Sequence, residues 1–173
     1  MKSIDFTTAL GRLLTDAELL SAFTQNPSLV ADQLNVAKEV RAYFVTLSPQ
    51  QVATQAKLLI TKRMKEVYKF LPYTFQTYPE TAQHFKTYAS TYWPKSYRRH
   101  LEDAHQFCLY LKTHHLFAAQ SEFNRIRFLQ SGKRFRLTWA TDVLIKGQRL
   151  PALQVFYRNK KTDGQWRFYI GNR

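Results

Sequence analysis

Apolar and polar positions follow helical spacing from the N-terminus to about residue 130. Thr15 and Glu18 have the spacing of a capping box, and Asn26 places a capping side chain directly before Pro27. These signals and the later prolines predict six helices, over residues 15–23, 26–35, 49–70, 79–88, 96–114 and 117–129. The first and larger part of the chain is therefore expected to be a helical bundle.

The pattern changes to strand alternation after residue 132. Segments 133–145, 149–158 and 165–170 alternate apolar with polar residues, and Asp163-Gly164 is a strong hairpin signal. The simplest topology is an antiparallel three-stranded meander, which needs a cover on one face; the predicted helix 117–129 is the nearest candidate. We therefore predict an α+β fold, with a helical domain over residues 1–132 and a basic antiparallel β subdomain over residues 133–173.

Positive charge is concentrated in the second half of the chain. The formal net charge is +14, yet residues 1–47 hold four basic and five acidic groups. Residues 133–173 hold ten Lys or Arg against two Asp or Glu. A field of one sign attracts acidic partners, but it does not distinguish nucleic acid, an acidic peptide or an acidic protein surface.

Cysteine usage and hydropathy restrict the class of protein. The single Cys108 excludes an internal disulfide and a Cys-rich metal site. The N-terminus lacks the apolar core of a secretory signal, and no segment has the length and hydropathy of a membrane span. We expect a soluble cytoplasmic protein that has no contact with a membrane.

Catalytic motifs are absent from the sequence. It contains no nucleophile elbow, phosphate-binding loop, dinucleotide fingerprint or HExxH zinc motif. His100 and Asp103 share a predicted helix face, which suits either a base and its orienting carboxylate or a buried hydrogen-bonded pair. The structural interpretation of the pair is favoured, so we expect no enzymatic activity and no metal site in this chain alone.

Basic residues of the predicted sheet are the main candidates for a binding role. A short sheet has edges, whose unpaired N–H and C=O groups can bind an extended chain. We expect the charges to lie on the open face and rim of the sheet. The alternative is edge protection, in which the charges only discourage aggregation.

The helical part resembles a family of small bacterial proteins. The resemblance is carried by Phe6-x-x-Ala9-Leu10-x-x-Leu13-Leu14-x-Asp16-x-x-Leu19-x-x-x-Phe23 with Asn26-Pro27, by the run from Gln55 to Thr74 that includes Lys62-Arg63 and Leu71-Pro72, and by Trp93-Pro94 with His100-x-x-Asp103-Ala104-x-x-Phe107. Members of that family are partners of multinuclear non-haem iron-dependent oxidases that modify ribosomally made peptides, as in methanobactin biosynthesis.

The resemblance implies a non-catalytic subunit of a heterodimer. The helical domain would dock on a TIM-barrel iron-dependent oxidase, which would hold the iron, so no cofactor is expected in this chain. The implied docking residues are Lys62, Arg63, Trp93, Tyr97, Arg98, His100 and Asp103. The sheet would receive the acidic leader of a precursor peptide as an added strand, through Arg134, Arg136, Trp139, Arg149, Phe156, Arg158 and Arg167.

A nucleic-acid-binding protein is the alternative function. Basic residues would contact phosphates, and the many Tyr and Trp side chains would stack on bases. Against this alternative, the tail lacks the aromatic strand motif of common RNA-binding sheets, and no helix-turn-helix is indicated.

Overall fold

The structure, a computed structural model, describes residues 3–158 in full and residues 163–169 as backbone. The helices in this part of the chain are α1 (Phe6–Thr15), α2 (Ala17–Gln25), α3 (Pro27–Gln33), α4 (Lys38–Val45), α5 (Pro49–Tyr68), α6 (Pro72–Thr77), α7 (Thr81–Thr91), α8 (Arg99–Thr113) and α9 (Gln120–Gln130). The strands are β1 (Phe135–Ile145), β2 (Gln148–Arg158) and β3 (Asp163–Tyr169). The predicted α+β class, with helices first and an antiparallel sheet at the C-terminal end, is confirmed.

One predicted helix start is wrong by a residue and another is confirmed. Thr15 belongs to α1, and Asp16 caps α2 by accepting the Leu19 N–H at 2.9 Å. Because α1 runs almost directly into α2, Thr15 is already helical and cannot serve as the cap. Asn26 caps α3 as predicted, with Pro27 as the first helical residue.

Short helices are the elements that the sequence pattern missed. α1, α4 and α6 were not predicted, and each is ten residues long or shorter. Such short helices have marginal stability in isolation and depend on tertiary packing, so their local signals are weak. The predicted helices 49–70, 79–88, 96–114 and 117–129 correspond to α5, α7, α8 and α9, with ends shifted by up to a few residues.

The chain divides into two compact units. The first contains residues 1–64 and 86–93, and the second contains residues 65–85 and 94–173. This division differs from the predicted functional domains 1–132 and 133–173, which stay a prediction. In the second unit the sheet belongs to the same compact body as α8 and α9.

The first unit is built around an aromatic contact. Phe23 and Phe44 are fully buried and meet edge to face, with ring centroids 5.3 Å apart. Leu13 and Val30 complete the centre of this core. Burial of such side chains is the main source of stability for a small helical unit.

In the second unit, β1 and β2 form an antiparallel hairpin. The connecting residues Lys146 and Gly147 have φ angles of +46° and +84°, the two positive values that a type I′ hairpin turn requires. Glycine adopts such a φ without strain, which explains its place in the turn. The strand order is β1-β2-β3, so β1 lies at one edge of the sheet.

Helix α9 covers one face of the hairpin, as predicted for helix 117–129. Phe128 of α9 stacks on Phe156 of β2 with ring centroids 5.2 Å apart, and both side chains are buried. Beside them, the Asn124 amide Nδ2 donates to Gln154 Oε1 at 3.2 Å. Gln154 is 1% exposed, and this bond satisfies a polar group that would otherwise be costly to bury.

A partly buried carboxylate joins α9 to the start of α6. Glu122 accepts hydrogen bonds from the Tyr73 N–H at 2.7 Å, and from the Thr74 N–H and hydroxyl at 3.0 and 2.7 Å. The bonds supply acceptors for amides at the N-terminus of α6, which lack partners within the helix. Burial raises the pKa of Glu122, against the opposing effect of these hydrogen bonds.

The contact between α9 and the sheet predicts a large difference between two truncations. Phe156→Ala should lower the free energy of unfolding by about 3–5 kcal/mol, because it empties a buried position against Phe128. Leu144→Ala, at a 42% exposed position of β1, should change it by less than about 1 kcal/mol. Urea denaturation followed by circular dichroism measures both, and equal effects would contradict the described packing.

Glu122 predicts a pH dependence of stability. Because its pKa is raised in the folded state, the carboxyl's contribution is complete below 4.5, the ordinary value, and is lost as pH rises through the folded-state pKa. Glu122→Gln keeps an acceptor for the amides but cannot titrate. The decline in urea midpoint above pH 4.5 should therefore be shallower in this variant than in the wild type. Identical pH profiles would contradict the prediction.

Candidate functional site

The two faces of β1 differ in character. Phe135, Leu137 and Trp139 lie on one face and are 59%, 53% and 43% exposed. Arg136 and Thr138 alternate with them and lie on the face that α9 covers. The exposed face of β1 is therefore apolar from residue 135 to residue 139, and none of the expected charges lies on it there; Arg134 is exposed just before the strand.

The strand β2 continues the apolar face. In the register of the hairpin its residues stand opposite those of β1 on the same face, and they are Leu153, Val155 and Tyr157. These three positions, like Phe135, Leu137 and Trp139, carry apolar or aromatic side chains. On the covered face, β2 places the buried Phe156 directly opposite Arg136.

Hydrogen-bond alternation identifies the backbone groups at the outer edge of β1. The Arg158 N–H donates to the Arg134 carbonyl at 2.8 Å, which makes this a hydrogen-bonded pair of the antiparallel ladder. Positions 136 and 138 then pair toward β2 as well. The N–H and C=O groups of Phe135, Leu137 and Trp139 alternate with them and point away from β2.

Helix α9 limits this edge on its C-terminal side. The Asn124 Nδ2 donates to the Trp139 carbonyl at 3.0 Å, and Gln120 Oε1 accepts the Thr141 N–H at 3.3 Å. The register also shifts between Ala140 and Val143. The outward backbone groups that remain clear of α9 are therefore those of Phe135 and Leu137 and the N–H of Trp139; we call this stretch, residues 135–139, the open edge.

Three of the predicted peptide-binding residues contact other parts of the second unit. Phe156 is 1% exposed and packs against α9, so its side chain is not accessible to a peptide. Arg158 donates to the Leu129 carbonyl at 3.3 Å and lies over the Phe128 ring. Arg149 lies 3.6 Å from the centre of the Tyr73 ring and donates to the backbone of β1.

The other predicted peptide-binding residues lie around the open edge or beyond the described side chains. Trp139 is on the open face, Arg134 is exposed just before β1, and Arg136 is half-buried on the side of α9. Arg167 stands opposite Gln154 in the backbone register of β3, and its side chain lies outside the described residues. Arg134, Arg136 and Trp139 thus lie along the same edge of the sheet, with Arg136 and Trp139 on opposite faces, whereas Arg149 contacts Tyr73.

The predicted docking residues are divided between the two compact units. Lys62, Arg63 and Trp93 belong to the first unit. Arg63 is 6% exposed, lies 4.5 Å from the Trp93 ring centre, and donates to the carbonyls of Ala89 and Tyr92 near the end of α7. Its guanidinium therefore stabilises a helix end.

The docking residues of the second unit range from exposed to fully buried. Tyr97 is 90% exposed, and Arg98 lies beside its ring. Asp103 is fully buried. The Nδ1 atom of His100 is buried and has no hydrogen-bond partner among the described atoms, so no carboxylate orients the ring through that nitrogen.

The described residues form neither a cluster of metal ligands nor a membrane-spanning helix. In that part of the chain no three His, Cys, Asp or Glu side chains converge to hold a metal ion. Among the described helices, none combines the length and the hydropathy needed to cross a bilayer. Burial raises the pKa of the Cys108 thiol, which keeps it protonated and unreactive.

The peptide-binding residues predicted from the sequence do not include Phe135 and Leu137. Their alternation with Arg134 and Arg136 is visible in the sequence, but the expectation that the charges occupy the open face places the alternating apolar residues on the covered face. They are exposed because α9 covers the other face of the hairpin. The sequence signal for a binding role at Phe135 and Leu137 is their alternation with the basic residues Arg134 and Arg136.

Comparisons of the chain with protein-family models, with curated proteins and with solved structures found no match.

The hydrogen-bond alternation predicts that proline is tolerated at one position of β1 and not at the next. Leu137→Pro removes an outward N–H and should cost at most about 1 kcal/mol, as proline does at strand edges. Thr138→Pro removes a donor to β2, leaves a buried acceptor unpaired, and should cost about 1–3 kcal/mol more. Urea denaturation of both variants checks this order, and the reverse order would show that the alternation is assigned wrongly.

Proposed function

We propose that this chain is a non-catalytic partner subunit that binds the acidic leader of a precursor peptide and presents the peptide to an iron-dependent oxidase. The observation that carries the proposal is the open edge, where outward backbone groups and exposed apolar side chains occupy the same residues. Strand addition uses this combination: main-chain hydrogen bonds supply affinity, and alternate side chains supply selectivity.

In this proposal the sheet acts as the three-stranded antiparallel meander expected from the sequence. The leader adds a further strand next to β1 and places alternate side chains against Phe135, Leu137 and Trp139. The basic surroundings favour an acidic peptide, because ten of the Lys and Arg residues follow position 132. Docking is assigned to β1 because the hydrogen-bond ladder identifies its outward groups and because Phe135, Leu137 and Trp139 are exposed there.

Docking on the oxidase is assigned to the exposed members of the predicted docking set. Lys62, Tyr97 and Arg98 have side chains in solvent. Arg63 and Asp103 are buried, so their contribution would be to hold neighbouring residues in position. The proposal places the iron ligands in the oxidase, and it requires catalysis only from the complex.

The complex is tested by co-expression with an iron-dependent oxidase and a precursor peptide encoded next to this chain. The oxidase is expected to co-purify with this chain in a stable complex, and the peptide should be modified only when both proteins are present. Genome neighbours that include no oxidase and no precursor, or full activity of the oxidase alone, would overturn the proposal.

The open edge predicts a specific loss of peptide affinity in that system. Leu137→Pro should weaken leader binding about tenfold or more, since it removes a main-chain donor from the centre of the edge. Leu137→Ala retains the N–H and should weaken binding less. Fluorescence anisotropy with the labelled leader measures both affinities. If both variants bind like the wild type, β1 is not the docking strand.

A nucleic-acid partner is the second candidate function. It is favoured by the net charge of +14 and by Tyr97, which is 90% exposed beside the Arg98 guanidinium. Single-stranded oligonucleotide binding that falls steeply with salt, with a log–log slope near −0.7 per phosphate contacted, would support this function. Loss of that binding in Tyr97→Ala, with the leader unbound, would favour it over peptide presentation.

A further inference from the structure

A basic cavity lies beside the open edge on the side of α9. Its volume is about 520 Å³, and it is open to solvent. The residues that line it come from α8, α9, the connection to β1, and β1 itself: His105, Arg127, Gln130, Ser131, Lys133, Arg136 and Leu137. None of the described residues lining it is an Asp or a Glu, so four groups that can carry positive charge surround one space.

Contacts on the Phe123 ring add to this concentration of cations. His105 stacks on the ring with centroids 5.6 Å apart, Lys112 Nζ lies 3.7 Å from its centre, and the Arg127 guanidinium lies 5.7 Å from it. Cation–π attraction offsets part of the repulsion between the Lys112 and Arg127 cations. The Phe123 ring thus holds these two cations near each other.

The directions of the pKa shifts in the cluster agree with this geometry. Burial, and secondly the charge of Arg127, lower the pKa of His105 and of Arg136. Burial is also the largest cause of the lowered pKa of Lys112, to which Arg127 contributes. Like charges that are close together and partly removed from water favour an anion that neutralises them.

The register of an added strand connects this cavity to the peptide. In neighbouring strands, residues directly opposite each other place their side chains on the same face, with Cβ atoms about 5 Å apart. A peptide residue opposite Arg136 therefore projects toward α9 and the cavity. Its two neighbours project to the other face, toward Phe135 and Leu137.

We infer that the cavity binds a carboxylate side chain of the added strand, so that the chain selects peptides in which one acidic residue stands between two apolar residues. This inference rests on the proposed function and specifies its substrate class. The carboxylate is held between Arg136 of β1 and Arg127 of α9, with Lys133 at the entrance. The distance between opposite residues of adjacent strands suits a short Asp or Glu side chain.

The first experiment compares two labelled peptides on the full chain. In both, valine and threonine alternate, and the central threonine is replaced by glutamate in one and by glutamine in the other. The glutamate peptide should bind about tenfold more tightly by fluorescence anisotropy, because charge-assisted hydrogen bonds to Arg are stronger than neutral ones. In hydrogen exchange, either peptide should protect the Phe135, Leu137 and Trp139 amides.

Two matched variants test whether Arg127 causes the preference for the glutamate peptide. Arg127→Gln should remove most of the difference between the two peptides, mainly by weakening the binding of the glutamate peptide. Arg125→Gln is the control, because Arg125 is an exposed arginine of the same helix that lines a different cavity, with Phe70 and Glu122. It makes the same change in net charge and should retain the preference.

The outcomes separate this inference from the proposed function. Equal affinity for both peptides, with the edge amides protected, overturns the carboxylate site and leaves strand addition in place. No binding and no protection overturn both. Loss of the preference in Arg125→Gln as well as Arg127→Gln attributes it to general charge and overturns the site.

A spectroscopic readout tests the cavity directly. The glutamate peptide should raise the pKa of His105 in an NMR titration, because a nearby anion stabilises imidazolium. Arg127 and Lys112 lower that pKa in the free chain, and Lys133 and Arg136 line the same cavity. The glutamine peptide should leave it unchanged. If inorganic phosphate at the same concentration produces the same rise and displaces no peptide, the cavity is a general anion site and the inference is wrong.

Discussion

The packing of helix α9 on the β1–β2 hairpin is the contact on which the candidate site depends. Phe128 against Phe156 excludes water from one face, and Asn124 with Gln154 satisfies the polar groups buried beside them. By occupying that face, α9 determines that Phe135, Leu137 and Trp139 are on the other. The same helix contributes Asn124 and Gln120 to the outer edge of β1, and so determines where that edge ends.

Much of the fold could be predicted from local signals. Asn26 before Pro27 begins a helix because a side-chain oxygen and a prolyl φ angle both suit that position, whatever the rest of the chain does. The alternation of Phe135, Leu137 and Trp139 likewise predicts a strand. Thr15 was assigned wrongly because capping chemistry does not reveal that the preceding residues are already helical.

The candidate site could be predicted only in part, for reasons of long-range geometry. The sequence shows how many arginines follow position 132, but not which of them find a ring or a carbonyl to contact. Arg149 contacts the Tyr73 ring and Arg158 the Phe128 ring, through pairings separated by about 30 residues or more. Arg127 was overlooked because it lies in a helix, outside the basic tail. Only the tertiary fold places it next to Arg136.

The short length of the open edge sets the lifetime of any complex formed there. Phe135 and Leu137 offer both main-chain groups, whereas the Trp139 carbonyl is already bound by Asn124. Each main-chain hydrogen bond contributes a net 0.5–1.5 kcal/mol, roughly, and part of the sum is offset by the entropy lost when a flexible segment becomes ordered. A strand added at this edge would gain few main-chain bonds and would dissociate readily. Under the proposed function, such a surface would suit a substrate that leaves after each turnover better than a permanent subunit contact.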